Sequence, residues 1–206
     1  MRDLAEALAF LRANPRVAAH VTVKSGVGLG NGVLAVFPVL AVVVFGLGPI
    51  ATGLLFAARG LGVIAGPFLF RRVLDRRDWL MPGLAISMGI YGIAYLGAAA
   101  SPWFGLLLAF VTVAHIAGGG NWVMSSYALQ LEVPDALRGR VFSADSMAVS
   151  LAMAVSMLAA GALADTLSPR VAMAICGGLT LIYGIVWRLV TRKGLRRAAS
   201  VMLSLR

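Results

Sequence analysis

Apolar residues run in six blocks, over residues 17–38, 48–70, 80–100, 103–127, 142–164 and 170–191, and the gaps between them hold most of the charges. Each block predicts a helix of about 31–38 Å, enough to cross a hydrocarbon core of about 30 Å with some tilt. A barrel strand would alternate apolar and polar positions over ~10 residues, and none of the blocks does so. The expected fold class is therefore all-α integral membrane, with six transmembrane helices over residues 17–191. Residues 1–16 predict a short amphipathic cytoplasmic segment on the membrane surface. In it Leu4, Leu8 and Leu11 share a face, Asp3 and Glu6 sit near the start, and Pro15 ends the helix. Residues 192–206 form a basic tail.

Composition agrees with lipid as the solvent. Sixty per cent of the 206 residues are apolar and 13% are charged, with a mean hydropathy of +0.91, too little polar surface for a soluble domain of this length. The net charge of +10 does not point to nucleic acid, because the bases are not gathered on one polar face with aromatic residues between them. Fifteen of the 18 Lys and Arg residues fall in 1–16, 71–79, 128–141 and the stretch from 188 onward. The alternate gaps, 39–47, 101–102 and 165–169, hold none, with Arg170 at the edge of the last. This asymmetry places both termini in the cytoplasm. Sixteen Arg against two Lys, with abundant Ala and Gly, suggest a GC-rich bacterial source and so an inner-membrane location.

The single Cys176 lies inside an apolar block, which excludes a disulfide framework. With two histidines and one cysteine, neither a metal site nor a cofactor is expected. Phosphate-loop, zinc-protease and Gly-x-Ser-x-Gly patterns are absent, so the chain does not read as an enzyme.

Two features suggest internal duplication. Gly30-Asn31 and Gly120-Asn121 lie 90 residues apart in the first and fourth blocks, and Asp75 and Asp165 share that offset. Inverted three-helix repeats are a common plan for transporters. Glycines concentrate in the same blocks, at Gly26, Gly28, Gly30 and Gly32, at Gly62 and Gly66, and at Gly118, Gly119 and Gly120. They serve either close helix packing or flexing during a transport cycle.

The segment from Ser125 to Gln130, Ser-Ser-Tyr-Ala-Leu-Gln, precedes Val133-Pro134-Asp135-Ala136-Leu137-Arg138-Gly139-Arg140-Val141-Phe142-Ser143. Together they resemble the loop between helices ten and eleven of major facilitator superfamily exporters, in the branch of the enterobactin exporter and the macrolide efflux proteins. Val44-Phe45-Gly46-Leu47-Gly48-Pro49, with Ala57-Ala58-Arg59-Gly60-Leu61-Gly62, resembles the seven-to-eight connection and helix eight of the same group. Leu11-Arg12-Ala13-Asn14-Pro15 is similar to the end of its central loop. The resemblance implies that this chain is the C-terminal half of a twelve-helix, proton-coupled exporter of small molecules and is inactive alone. The family's acidic loop position is occupied here by Phe70, so the resemblance implies no carboxylate latch at that position.

The candidate site residues are the polar ones inside the blocks: Lys24, Asn31, Arg59, His115, Asn121 and Ser125. An arginine at mid-bilayer costs about 2.5–3.5 kcal/mol even on the permissive insertion scale, so Arg59 must face protein or a water-filled cavity. It is either a contact for an anion or carboxylate, or a structural donor to backbone carbonyls. His115 is either a proton relay or a neutral bridge between helices. Lys24 has a stem long enough to snorkel to the interface. Asn31, Asn121, Ser125 and Ser126 line a cavity or join helices. Asp145 is expected near the start of the fifth helix, pairing with Arg138 or Arg140 or capping that start. No carboxylate is expected near mid-depth, and the cationic bias favours an anionic substrate. The loop residues Pro134, Asp135, Arg138, Gly139 and Arg140 are candidates through the resemblance alone.

The expected partners are the lipid bilayer, a small-molecule substrate, and either an N-terminal six-helix half or a second copy. Two other readings compete with a half-transporter. One is a self-sufficient six-span homodimer, and the other an intramembrane scaffold or enzyme.

Overall fold

A computed structural model describes the backbone of residues 2–204 and the side-chain surroundings of residues 6–194. The described secondary structure is helical and contains no strand. In order, the helices are α1 (Arg2–Ala13), α2 (Pro15–Gly30), α3 (Phe37–Val39), α4 (Gly48–Leu69), α5 (Arg71–Leu74), α6 (Leu80–Ala99), α7 (Phe104–Glu132), α8 (Asp135–Thr166) and α9 (Pro169–Ser204). Six stretches are long and apolar enough to cross a membrane: Pro15–Val44, Gly48–Leu69, Arg77–Ala99, Phe104–Glu132, Asp135–Thr166 and Pro169–Gly194. They are the six blocks read from the sequence, with several boundaries moved.

The moved boundaries have local causes. Pro15 both ends α1, by keeping Asn14 (φ −125°, ψ 80°) out of the helical region, and opens α2, where its missing N–H is no loss. The expected loop 128–141 shrinks to Val133 and Pro134. Proline biases the residue before it away from the helical region, and Val133 is extended at φ −98° and ψ 124°. Helix α8 therefore starts at Asp135, about two turns before the apolar block begins, and the middle of the span moves by only about two to three residues toward the N-terminus. The first span is irregular. Pro38 offers no N–H to the turn before it and its ring crowds that turn. The helix tightens into a 3-10 stretch over Asn31–Val36 and widens into a π stretch over Leu40–Val44. Gly46 and Gly48, both with positive φ, then turn the chain into α4.

The first span packs against the fifth and sixth, and the fourth against the second and third. Exchanging the first three spans with the last three maps one set of neighbours onto the other, as two three-helix repeats require. Close approach makes this packing possible. A Cβ on Gly62 would lie 2.5 Å from the Thr112 carbonyl oxygen, and one on Gly119 would lie 2.5 Å from the Val63 oxygen. Helices α4 and α7 therefore touch backbone to backbone.

At the Arg-rich end, α1 is docked on the bundle and is not simply laid on a membrane surface. Glu6 pairs with Arg140, while Phe10 and Leu11 pack against Val17, Val21, Leu129, Val133 and Val141. Most of the basic tail from residue 192 lies outside the residues whose side chains are described.

Arg170 is the sole exception to the charge asymmetry, and it has a structural use at the opposite end. Its guanidinium donates to the carbonyls of Ala99 (2.9 Å) and Ser101 (2.6 Å) and lies over the Phe45 ring. It thereby satisfies carbonyls left open at the end of α6. Replacing Arg170 with Gln is expected to destabilise the bundle by about 1.5–3 kcal/mol, the range for hydrogen bonds to charged groups, measurable by chemical unfolding in detergent.

Candidate substrate cavity

Three of the predicted polar residues come together at mid-depth. Asn31, Arg59 and His115 each lie within about 5 Å, along the axis, of the centre of their own span. They line one cavity of about 310 Å³, walled by Val27 and Asn31 from the first span, Arg59 and Val63 from α4, His115, Gly118, Gly119 and Trp122 from α7, and Val149, Ser150 and Met153 from α8. Residues 115, 118, 119 and 122 recur at helical spacing, so α7 presents a single face to the cavity.

The orientation of the polar groups is set by α6, which does not line the cavity. The Tyr91 hydroxyl donates to Asn31 Oδ1 at 3.2 Å. The Tyr95 hydroxyl lies 2.8 Å from His115 Nε2. The Tyr91 ring stands edge-on to the His115 ring at 5.5 Å and 5.0 Å from the Tyr95 ring. Both tyrosines are fully buried. Arg59 differs: its Nε is buried without a hydrogen bond, and no carboxylate among the described residues pairs with it. The backbone-donor alternative for Arg59 is therefore not realised.

Lys24 does not snorkel. Its side chain is 2% exposed, pairs with Asp145, donates to Ser126 Oγ at 3.0 Å and lies 4.9 Å from the Trp122 ring centre. Asp145, also 2% exposed, pairs with neither Arg138 nor Arg140 and caps no helix. Because α8 starts at Asp135, this carboxylate lies about 8 Å from the middle of its span, matching Lys24 in depth on the Arg-rich side. Among the described residues no carboxylate lines the mid-depth cavity itself; Asp145 is buried one layer away from it. The pair forms a layer beneath the cavity, with Trp122 between them.

Asn121 and Ser125 do not reach the cavity. Asn121 Nδ2 donates to Ser87 Oγ (2.8 Å) and to the Leu84 carbonyl (3.3 Å), joining α7 to α6. Ser125 Oγ bonds the Trp122 carbonyl of its own helix. The two asparagines of the repeat thus have different surroundings. The loop residues fasten helix ends: Pro134 precedes α8, Asp135 sits in its first turn, and Arg138 bonds Asp135 (2.6 Å) and the Gln130 carbonyl (3.2 Å). Arg140 holds Glu6, and Gly139 faces open space. At the family's acidic position, Phe70 packs its ring on Gly120.

Several participants were missed in the sequence. Tyr91 and Tyr95 carry the i, i+4 signal that would have shown them on one face of α6. Trp122 has the i+7 spacing from His115. Asp145 moves about 4 Å closer to the middle of its span once Pro134-Asp135 is taken as a helix start. His20 is buried, with its Nε2 3.6 Å from the Glu132 carboxylate that Arg16 holds at 2.7 Å, and no sequence pattern marks it.

Six apolar helices, crossing a bilayer and gathering buried polar side chains around a mid-depth cavity, define a multi-pass membrane protein of the transporter kind. The family model of the Major Facilitator Superfamily matches residues 24–203, and the chain belongs to that superfamily of membrane transporters. Comparison with curated proteins and with solved structures gives no match.

Proposed function

We propose that the chain is the C-terminal half of a proton-coupled exporter of small molecules in a bacterial inner membrane, with both termini in the cytoplasm. The observation that carries this reading is the cavity: four spans contribute polar groups to a single recess at the depth where transporters of this architecture hold substrate between two bundles. Helices α4 and α8, which wall it, are also the two least buried spans. Leu61, Ile64 and Phe68 on α4 and Leu151, Val155 and Leu158 on α8 are exposed and apolar, as a face awaiting a second six-helix bundle would be. Export and the bacterial membrane rest on the sequence resemblance, and the cytoplasmic termini on the charge asymmetry.

In this reading Arg59, His115 and Asn31 contact substrate. The Lys24–Asp145 pair couples the cycle to protons, since a proton on Asp145 frees Lys24 to change partner. Asn121 and Ser125 support the bundle, and Pro134, Asp135, Arg138, Gly139 and Arg140 hold the cytoplasmic ends together.

The test is transport by the chain alone. In proteoliposomes carrying a proton gradient, and in an efflux-deficient bacterium, the lone chain is expected to give no flux above empty controls. Co-expression with a six-helix N-terminal partner is expected to restore it. Robust export by the lone chain would overturn the half-transporter reading.

A further inference from the structure

The described residues place two cations inside the bundle near mid-depth, and their surroundings differ in one decisive way. Lys24 is neutralised by Asp145 and capped by Ser126. Arg59 has neither an ion pair nor a hydrogen bond among the described residues, and its Nε is already withdrawn from solvent. The residue is partly buried, and its guanidinium offers a planar fork that fits a carboxylate entering the cavity. Arg59 is the only charged residue among those lining the cavity. The remaining polar groups add donors. The Oδ1 of Asn31 is occupied by Tyr91, which leaves the two Nδ2 protons to give.

Shape narrows the ligand further. The cavity volume of about 310 Å³ is at the lower end for a small-molecule site. Gly118 packs on the Tyr91 ring and Gly119 on the Val63 backbone, so the half-exposed Trp122 indole, one turn beyond them, is the aromatic surface that α7 leaves to the cavity. An indole face accommodates a ring better than a branched aliphatic chain.

We propose that this recess is a receptor for small aromatic carboxylates, with Arg59 as the charge partner and Trp122 as the ring contact. The proposal refines the exporter reading by naming its substrate class. It also assigns Asn31 a selective role, since an amide donor adds to the preference for acceptor-rich ligands.

The experiment is equilibrium binding to the full chain in lipid nanodiscs at neutral pH, using radiolabelled benzoate, benzamide and benzylamine. These probes share one ring and carry negative, zero and positive charge. Benzoate is expected to saturate with Kd of about 1 mM or tighter, benzamide to bind at least about tenfold more weakly, and benzylamine not to compete. Arg59→Gln should bring benzoate down to the benzamide level, while Arg59→Lys retains part of the preference. Trp122→Leu should weaken benzoate and benzamide together and leave the preference between them unchanged. Unaltered circular dichroism and gel-filtration profiles certify that the variants are folded, and the benzoate-to-benzamide ratio of the unmodified chain decides the matter even where a variant fails to fold.

Equal binding of benzoate and benzamide, no saturable benzoate binding, or folded Arg59→Gln with benzoate affinity within about twofold of the unmodified chain would each overturn the proposal. Binding needs no flux, so its failure leaves the exporter reading intact. Transport by the lone chain would overturn the half-transporter reading and leave the receptor standing.

Discussion

Replacing Asp145 with asparagine is expected to destabilise the bundle by about 3–5 kcal/mol, the cost of leaving a buried cation without its partner. Lys24 is 2% exposed and Asp145 is its only carboxylate partner, so Lys24 has no route to compensation in the native fold. The reverse single change, Lys24→Met, is expected to cost as much, because it leaves the carboxylate buried with neither oxygen paired; Oδ1 already lacks a partner. The double variant Lys24→Met, Asp145→Leu should recover most of the loss, since two apolar side chains in place of a buried ion pair are often neutral or better. A double-mutant cycle, read by chemical unfolding in detergent, therefore predicts strongly non-additive changes. Additive losses would mean that each residue acts through other contacts. The same double variant is stable but has no titratable pair, so within the complete transporter it separates a structural role from a coupling role.

The second large effect is expected at the crossing of α4 and α7. Gly62→Val and Gly119→Val should each destabilise by about 3 kcal/mol or more, the upper end of what overpacking costs. The obstacle is backbone on both sides: a Cβ at Gly62 would also approach Ile116 N at 2.9 Å, and one at Gly119 would approach Val63 Cα at 3.0 Å. Rotamer changes cannot relieve such a contact, so the helices must separate. Because Arg59 lies on α4 and His115 on α7, that separation also widens the cavity, and benzoate binding should fall with stability. Gly53 and Gly60 on the same helix supply the control. Nothing lies within 4 Å of a Cβ at either position, so Gly53→Ala and Gly60→Ala should be neutral or stabilise by about 0.5–1 kcal/mol through helix propensity. Thermal melting of the four variants in one detergent compares them directly.

These two cases mark where sequence reasoning stopped. The glycines at 62, 66 and 118–120 were visible as a dense cluster, and packing was one of two uses assigned to them. Which glycines were indispensable was not visible, because Gly60 and Gly62 are identical in sequence and opposite in surroundings. The charges of Lys24, Arg59 and Asp145 were equally visible. Their fates diverge because one lysine meets a carboxylate 121 positions away while the arginine meets none. Snorkelling was a sound expectation for an isolated helix, where a lysine stem has only the interface to seek. A neighbouring helix with a carboxylate at the same depth supplies a nearer answer.

One sequence error propagated. Starting the fifth helix at the first apolar residue, instead of just after the proline that precedes it, put Asp145 about 12 Å from the middle of its span against about 8 Å in the structure, and set it at a helix start when it is buried against Lys24. Hydropathy marks where a helix enters hydrocarbon, while Pro134 and the extended Val133 mark where it begins.

The amino-acid sequence by itself determined that this protein is a six-span helical membrane protein with its basic residues gathered at one end, and which few polar residues lie at mid-depth. Those properties follow from interactions of single residues with solvent and lipid, which depend on local composition and on a fixed rise per residue. Only the tertiary structure decided that Asn31, Arg59 and His115 share one cavity, that α6 tyrosines orient two of them, and that Lys24 is neutralised while Arg59 is not. Those outcomes depend on the rotation and depth of each helix against its neighbours, and helix packing distributes them over contacts between residues far apart in the chain.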